Sequence, residues 1–425
     1  MQAVQRGRRT WGRALGALGL LASLAAFAAG CGGSDESAAG PPNINWYVFR
    51  EPSGAYDDAI KRCNDQASGK YRVTLVPLPT NADQQRELVV RRLAARDKDI
   101  DLIGMDVIWT AEFAEAGWLK EWTGAPAEEV RANTIEGVLA TAEYEDKLWA
   151  VPLTTNTQLL WYRKDRVERA PKTWDEMIDM AEKIGAEQGK IQVTGARYEG
   201  LVVWFNSLVA SAGGQVLTED LKPSLGEPAV RAAEVMKRLA NSPAADVSIS
   251  NAREDQARLG FQSGNSTFMI NWPYVYPSAK AETPEIFENM AYVPYPSVVE
   301  GKPGRAPLGG INIGVSSYSR NPAQAMEAAT CLRNEENQIV YAEKGGLPPT
   351  IEALYADPRL KKSYPFAGAL LTGLRNGVPR PVSPAYSDIS LAIQKTIHPP
   401  GDIDPEQTIK NLNERLATVA EGGLF

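Results

Sequence analysis

Trp46-Tyr-Val-Phe49, Tyr71-Arg-Val-Thr-Leu-Val-Pro77 and Ile100-Asp-Leu-Ile-Gly-Met105 are three short apolar runs of strand type, and the segments between them keep a different rhythm. Ala55–Gln66 sets Tyr56, Ala59, Ile60 and Cys63 on one face, and Asp83–Arg96 does the same with Leu88, Val89 and Leu93. Side chains share a face every three to four residues on a helix and every two on a strand, so the stretch alternates strand, helix, strand, helix, strand. That order predicts a parallel sheet with helices on both faces, closed at its third strand by Asp106.

Outward from this stretch the pattern continues. Trp149–Leu153 and Gln158–Arg163 read as strands around Thr154-Thr155-Asn156. Helical segments follow at Trp174–Ala186, Leu201–Ala212, Ala229–Leu239 and Glu254–Phe261. Asn265–Asn271 and Met290–Val293 read as strands, and the Pro/Gly-rich stretch 294–310 reads as a connection between lobes. Ile311–Val315 is a further strand, Ala323–Arg333 a helix carrying Cys331, and short helices run from Pro349 to a last one at 404–421. The length suits two lobes rather than one core. The expected division is 43–156 plus 308–348 for lobe one, and 157–307 plus 349–425 for lobe two. Several crossings between lobes make a cleft, the default place for a ligand.

Before this body stand Arg6, Arg8, Arg9 and Arg13, an apolar stretch from Ala14 to Ala29, and Ala28-Ala-Gly-Cys31. A positive start, an apolar run and small residues at the end make a secretory signal peptide over residues 1–30. The small-small-Cys ending resembles a bacterial lipobox, which implies that Cys31 is lipidated and begins the mature chain. A plain signal peptide with an incidental Cys is the alternative. Residues 31–42 form a Gly/Ser/Pro tether. The expectation is an extracytoplasmic protein held to the outer face of the cell membrane, each buried methylene of its acyl chains adding about 0.8 kcal/mol of anchoring.

The chain has 45 basic and 52 acidic residues. Residues 1–30 hold four Arg and no acid, so the mature part keeps 41 against 52, a net charge near −11. No basic run remains to neutralise phosphates, which argues against a nucleic-acid partner. With Cys31 lipidated, Cys63 and Cys331 are an even pair in an oxidising compartment, and a disulfide is expected, two separate buried thiols being the alternative. The one histidine, His398, precedes Pro399-Pro400 at the end of an apolar-periodic segment, where the helix dipole favours it. A single His leaves no multi-His metal site, and no Cys/His metal spacing or phosphate loop is present. No metal and no cofactor are expected.

Several aromatics sit at predicted element ends: Trp109, Trp204, Trp272, Tyr274 and Tyr386. Packing into a core is one reading of each. A cluster of them is also what a sugar needs, because the C–H face of a pyranose packs on an aromatic face while planar polar side chains hold its hydroxyls. Asp106 ends a strand, Asn156 follows one, and Asn271-Trp-Pro-Tyr274 follows another; ligand crevices lie at the carboxyl ends of strands in open sheets. An Asp or Asn at such a place is also a common helix cap.

Longer segments carry a resemblance: Trp109-Thr-Ala-Glu-Phe-Ala-Glu-Ala-Gly-Trp118, Thr154-Thr-Asn-Thr-Gln-Leu-Leu-Trp-Tyr-Arg163, Glu199-Gly-Leu-Val-Val-Trp-Phe-Asn206, Asn271-Trp-Pro-Tyr274, Gly345-Gly-Leu-Pro348 and Ile403-Asp-Pro-Glu406. With Arg62-Cys-Asn64 and Cys331-Leu-Arg333, they make the chain resemble the extracellular solute-binding proteins of carbohydrate ABC importers, and more closely the trehalose-binding lipoproteins of mycobacterial trehalose-recycling importers. The resemblance runs from about residue 43 onward. It implies an α/β, two-lobe periplasmic-binding-protein-like (type II) fold that closes on one disaccharide. It implies hydroxyl contacts from Asp106, Asn156, Glu254 and Arg380, stacking on Trp272, and backbone groups from Gly345, Gly346 and Leu347. Gln84 or Gln85, and Glu51, are further transfers; the segment around 50–55 departs from the mycobacterial pattern. Residues 276–290 are shorter here than in that pattern.

The resemblance therefore implies a monomeric binding protein without catalysis, capturing trehalose, or else maltose, another α-glucoside or a polyol, and handing it to membrane permeases. A secreted glycoside hydrolase is the reading from another class. It would need two carboxylates flanking the scissile bond, and Asp106 and Glu254 are the candidates.

Overall fold

The computed structural model describes residues 40–218 and 220–420; the signal sequence and the Cys31 lipidation site expected above lie outside the described residues. The strands are β1 (Asn43–Phe49), β2 (Arg72–Leu78), β3 (Leu102–Asp106), β4 (Glu143–Tyr144), β5 (Lys147–Leu148), β6 (Ala150–Asn156), β7 (Leu159–Arg163), β8 (Lys190–Gln192), β9 (Ser266–Asn271), β10 (Met290–Val293) and β11 (Gly309–Val315). They form a five-stranded sheet in the order β2-β1-β3-β11-β6, a four-stranded sheet in the order β10-β7-β9-β8, and the small hairpin of β4 with β5.

β1, β2 and β3 pair in parallel. The first sheet is nevertheless mixed, because β11 enters antiparallel to both β3 and β6. This strand arrives from the second sheet's side of the chain rather than through a crossover helix, so its direction is not bound by the right-handed βαβ rule. β6 also extends through Thr154-Thr155-Asn156, expected above to lie between strands, because β11 supplies backbone partners up to Asn156.

Each sheet has its own core. Ile44, Trp46 and Val48 of β1, Leu102 and Ile103 of β3, and Ile313 and Val315 of β11 are buried with Leu332 and Tyr341 from flanking helices. Leu160, Ile191, Phe268 and Ile270 of the second sheet are buried with Trp174, Phe205, Met236, Ile393 and Leu412. A third cluster centres on Trp161, whose ring meets Phe366 edge-on at 5.3 Å.

Helix Ala55–Gln66 shows how the sequence sets this packing. Ala55, Tyr56, Ala59, Ile60 and Cys63 are its buried face, and Gly54 enters it at φ 77°, a conformation open to glycine. Cys63 forms a disulfide with Cys331 in helix Pro322–Leu332, the two Cα atoms 5.9 Å apart. Asn337, in the next helix, donates to the Cys331 carbonyl at 2.8 Å and accepts from Arg62 at 2.9 Å. Chain segments 268 positions apart are thus joined covalently and by hydrogen bonds.

A crosslink across so long a loop restricts the unfolded chain more than the folded one. The paired substitution Cys63→Ser with Cys331→Ser is expected to lower the unfolding free energy by about 2–5 kcal/mol. Urea denaturation followed by tryptophan fluorescence measures this, and the folded baseline should stay native because the buried apolar contacts remain.

Candidate functional site

The strand registers bring Asp106 and Asn156 to one end of the first sheet. Ile311 lies opposite Asp106, and Gly309 lies opposite Asn156, so the two side chains flank the start of β11. From Asn156 the chain passes directly into β7, and β9 pairs back on β7 with Asn271 opposite Leu159. The next residue, Trp272, is thereby returned to the crossover. Its ring lies against Gly309: a Cβ on that glycine would stand 3.0 Å from Trp272 Cη2 and 3.6 Å from Asn156 Cβ. The absent side chain gives the indole its place.

Asn271 fixes this corner. Its Oδ1 accepts from the Trp272 N–H at 2.9 Å, and its Nδ2 donates to the Glu254 carbonyl at 3.0 Å. Glu254 opens helix Glu254–Gln262, and burial pushes its carboxyl above the ordinary range. Trp272 itself is half-buried, leaving part of its surface open.

Arg380 reaches Asp106 from the loop between helices Ala367–Asn376 and Tyr386–Ile397. It is buried, and its Nη2 donates to Asp106 Oδ1 at 2.9 Å while Nη1 donates to Glu199 Oε1 at 2.7 Å. Glu199, the first residue of helix Glu199–Ser211, also accepts from the Tyr386 hydroxyl and from the Ser390 hydroxyl, each at 2.6 Å. Gln394 donates onward to Ser390 Oγ at 2.9 Å.

One guanidinium therefore serves two carboxylates. Burial alone would pull Arg380 down, but Asp106 and Glu199 outweigh it and hold the group above the usual arginine range, fully charged. The Glu199 carboxyl is pushed up by burial and by Asp106, against the pull of Arg380. Asp83, in the first turn of helix Ala82–Ala94, is pushed up by desolvation first and by Asp106 next, with Gln394 alongside it. Asn156 Oδ1, Thr157 Oγ1 and Arg380 Nε are buried polar atoms without a protein partner.

The other sequence candidates divide. Glu51 is buried and accepts from Ser53 and from the Tyr56 N–H, so its carboxylate is held at the start of helix Ala55–Gln66. Gln85 is buried and donates to the Thr80 carbonyl at 3.4 Å. Gly346, at φ 66°, ends helix Glu335–Gly345; its N–H goes to the Ala342 carbonyl and that of Leu347 to the Tyr341 carbonyl. A Cβ on Gly346 would stand 2.7 Å from Tyr274 Cα, so this cap is pressed against the segment following Trp272. Among the aromatics, Trp109, Trp204 and Tyr386 are buried, whereas Trp272 and Tyr274 stay half-buried. His398 ends helix Tyr386–Ile397 and contacts the Ser250 carbonyl at 3.0 Å.

Glu199, Ser390 and Asp83 are absent from the sequence-based set. For Glu199 a signal existed: Leu201–Phe205 is apolar all round, which marks a buried helix and so a buried acid at its start.

The chain belongs to the family of bacterial extracellular solute-binding proteins, whose profile matches residues 53–339. A probable ABC transporter-binding protein of Deinococcus radiodurans is 30% identical over 373 residues, covering 83% of this chain and 87% of its own length. The maltose-bound MalE3 of T. maritima shares the fold at a TM-score of 0.83 and 30% identity, over 89% of this chain and 99% of that one. An ABC transporter solute-binding protein of Thermotoga lettingae, bound with α-D-tagatose, has a TM-score of 0.79 at 24% identity, over 89% and 100% of the two chains.

Arg380→Ala leaves two carboxylates without their shared cation and is expected to cost about 3–5 kcal/mol of stability. Trp272→Ala, at a half-buried position, is expected to cost about 1 kcal/mol; urea denaturation of both variants measures the contrast. Asp83 has a raised carboxyl in the folded state. The folded protein therefore binds this proton more tightly, and the stability it contributes is present in acid and lost as pH rises through the folded value. Because Asp83 is exposed, solvent screens most of this effect: Asp83→Asn is expected to raise the urea midpoint only slightly at neutral pH, with the gap to the unmodified protein closing as pH falls through the ordinary carboxylate range.

Proposed function

We propose that this protein captures a disaccharide between its lobes and delivers it to the permeases of an ABC importer, without chemistry on the sugar. The observation that carries this reading is the convergence of Asp106, Asn156, Arg380 and the half-open Trp272 at facing ends of two sheets. An aromatic face, two amide- or carboxylate-bearing side chains and a guanidinium match the needs of a pyranose and its hydroxyls. Glu254 joins them from helix Glu254–Gln262, and the resemblance adds Glu51, Gln85, Gly346 and Leu347. Asp106 and Glu254 accept from hydroxyls; Asn156 and Arg380 donate.

Trehalose is the first ligand, on the resemblance of the segments around Asn156, Trp272 and Gly346. Maltose is the second, on the likeness to maltose-bound MalE3. The lobes are 43–156 plus 308–348, and 157–307 plus 349–425. A sugar touching both shifts the population toward the closed form by its differential affinity, and the closed form docks on the permeases. Cys31 bears the lipid that keeps this monomer at the outer face of the membrane.

Titration calorimetry on the protein begun at Ser34, with trehalose, maltose, sucrose, glucose and a polyol, tests the reading. Micromolar or tighter binding of trehalose is the expected result, with the sugar recovered intact after overnight incubation. Trp272→Ala should weaken binding by at least about tenfold. Maltose binding alone would move the specificity to the shortened 276–290 region, and silence across the panel would overturn the disaccharide assignment.

A further inference from the structure

Arg380 faces a physical problem. Its loop spans helices Ala367–Asn376 and Tyr386–Ile397, and its own neighbours in sequence, Pro379 and Pro381, offer it no side-chain partner. A long side chain on such a loop has many rotamers, and holding one of them costs conformational entropy. Its link to Asp106 uses a single nitrogen, Nη2. One hydrogen bond fixes a distance but not the plane of a guanidinium, which needs a second anchor.

That anchor is Glu199. Its carboxylate is almost wholly buried and holds Nη1 at 2.7 Å, while Tyr386 and Ser390 fix both of its own oxygens. The Ser390 hydroxyl is oriented in turn by Gln394. All three supporting residues lie on one face of helix Tyr386–Ile397, one or two turns apart. Every oxygen of Glu199 is thus engaged within the protein, so it has no free face to offer a ligand.

We propose that Glu199 is a positioning residue: braced by Tyr386 and Ser390, it fixes the Arg380 guanidinium in the orientation that meets Asp106 and a bound sugar. Glu199 touches neither Asp106 nor the ligand and acts through Arg380. The geometry stands by itself; its consequence for affinity rests on the sugar-binding reading above. The other charged groups around Glu199 are Asp106 and, beyond Gln394, Asp83.

A double-mutant cycle tests this, with Glu199→Gln and Arg380→Gln made singly and together in the protein begun at Ser34. Trehalose and maltose affinities are measured by calorimetry and unfolding constants by urea denaturation. Glu199→Gln is expected to weaken sugar binding at least tenfold when Arg380 is present, and less than twofold when Arg380 is already Gln. An acid that merely supported the fold would weaken binding equally in both backgrounds, and that result would overturn the proposal. Should Glu199→Gln fail to fold, Tyr386→Phe and Ser390→Ala replace it in the same cycle. If the unmodified protein binds neither sugar, the disaccharide reading fails, and the unfolding constants decide alone. Coupling of tenfold or more between the two substitutions then supports the placement of Arg380 by Glu199, and coupling below twofold overturns it.

Discussion

The antiparallel entry of β11 between β3 and β6 is the constraint on which the rest of the molecule depends. Without it β6 would be detached from the parallel ladder of β1, β2 and β3, and the backbone groups along β3 and β6 would lack partners. With it, the ends of β3 and β6 stand on either side of one strand. Asp106 and Asn156 come to the same end of the sheet through hydrogen-bond register alone. Because β11 opens with Gly309, the same strand leaves room for an indole carried in from the second sheet.

That sheet is arranged to deliver it. β7 comes after β6 with almost no connection, so the beginning of β7 is held close to the end of β6. β9 runs antiparallel to β7 and finishes opposite its first residue. The residue after β9 must therefore arrive at the seam between the sheets, and that residue is Trp272. The Gly346 cap presses on the same segment from another side. The indole is placed here by two registers and two glycines, not by a long loop.

Electrostatics complete the seam. The first sheet contributes an acid, Asp106, helix Glu199–Ser211 contributes Glu199, and the loop before helix Tyr386–Ile397 contributes the cation between them. A guanidinium shared by two carboxylates stays charged. Asn156, Thr157 and Arg380 each keep a buried polar atom that finds no protein partner.

The amino-acid sequence alone carried the alternation of strand and helix, the apolar faces of Ala55–Gln66 and Asp83–Arg96, and the polar residues that close strands. These come from side-chain periodicity, which is local. Asp106 and Trp272 were visible as candidates because a polar or aromatic residue at a strand end interrupts that periodicity. The direction of β11, the extension of β6 to Asn156 and the burial of Glu199 were settled by tertiary contacts. β11 meets β3 and β6 from far along the chain, and Arg380 lies 274 positions from Asp106 and 181 from Glu199. Contacts at such separations leave no periodic trace. The β11 contacts are backbone hydrogen bonds and the Arg380 contacts are charge pairs, and both exist only once both sheets and the helices behind them are assembled.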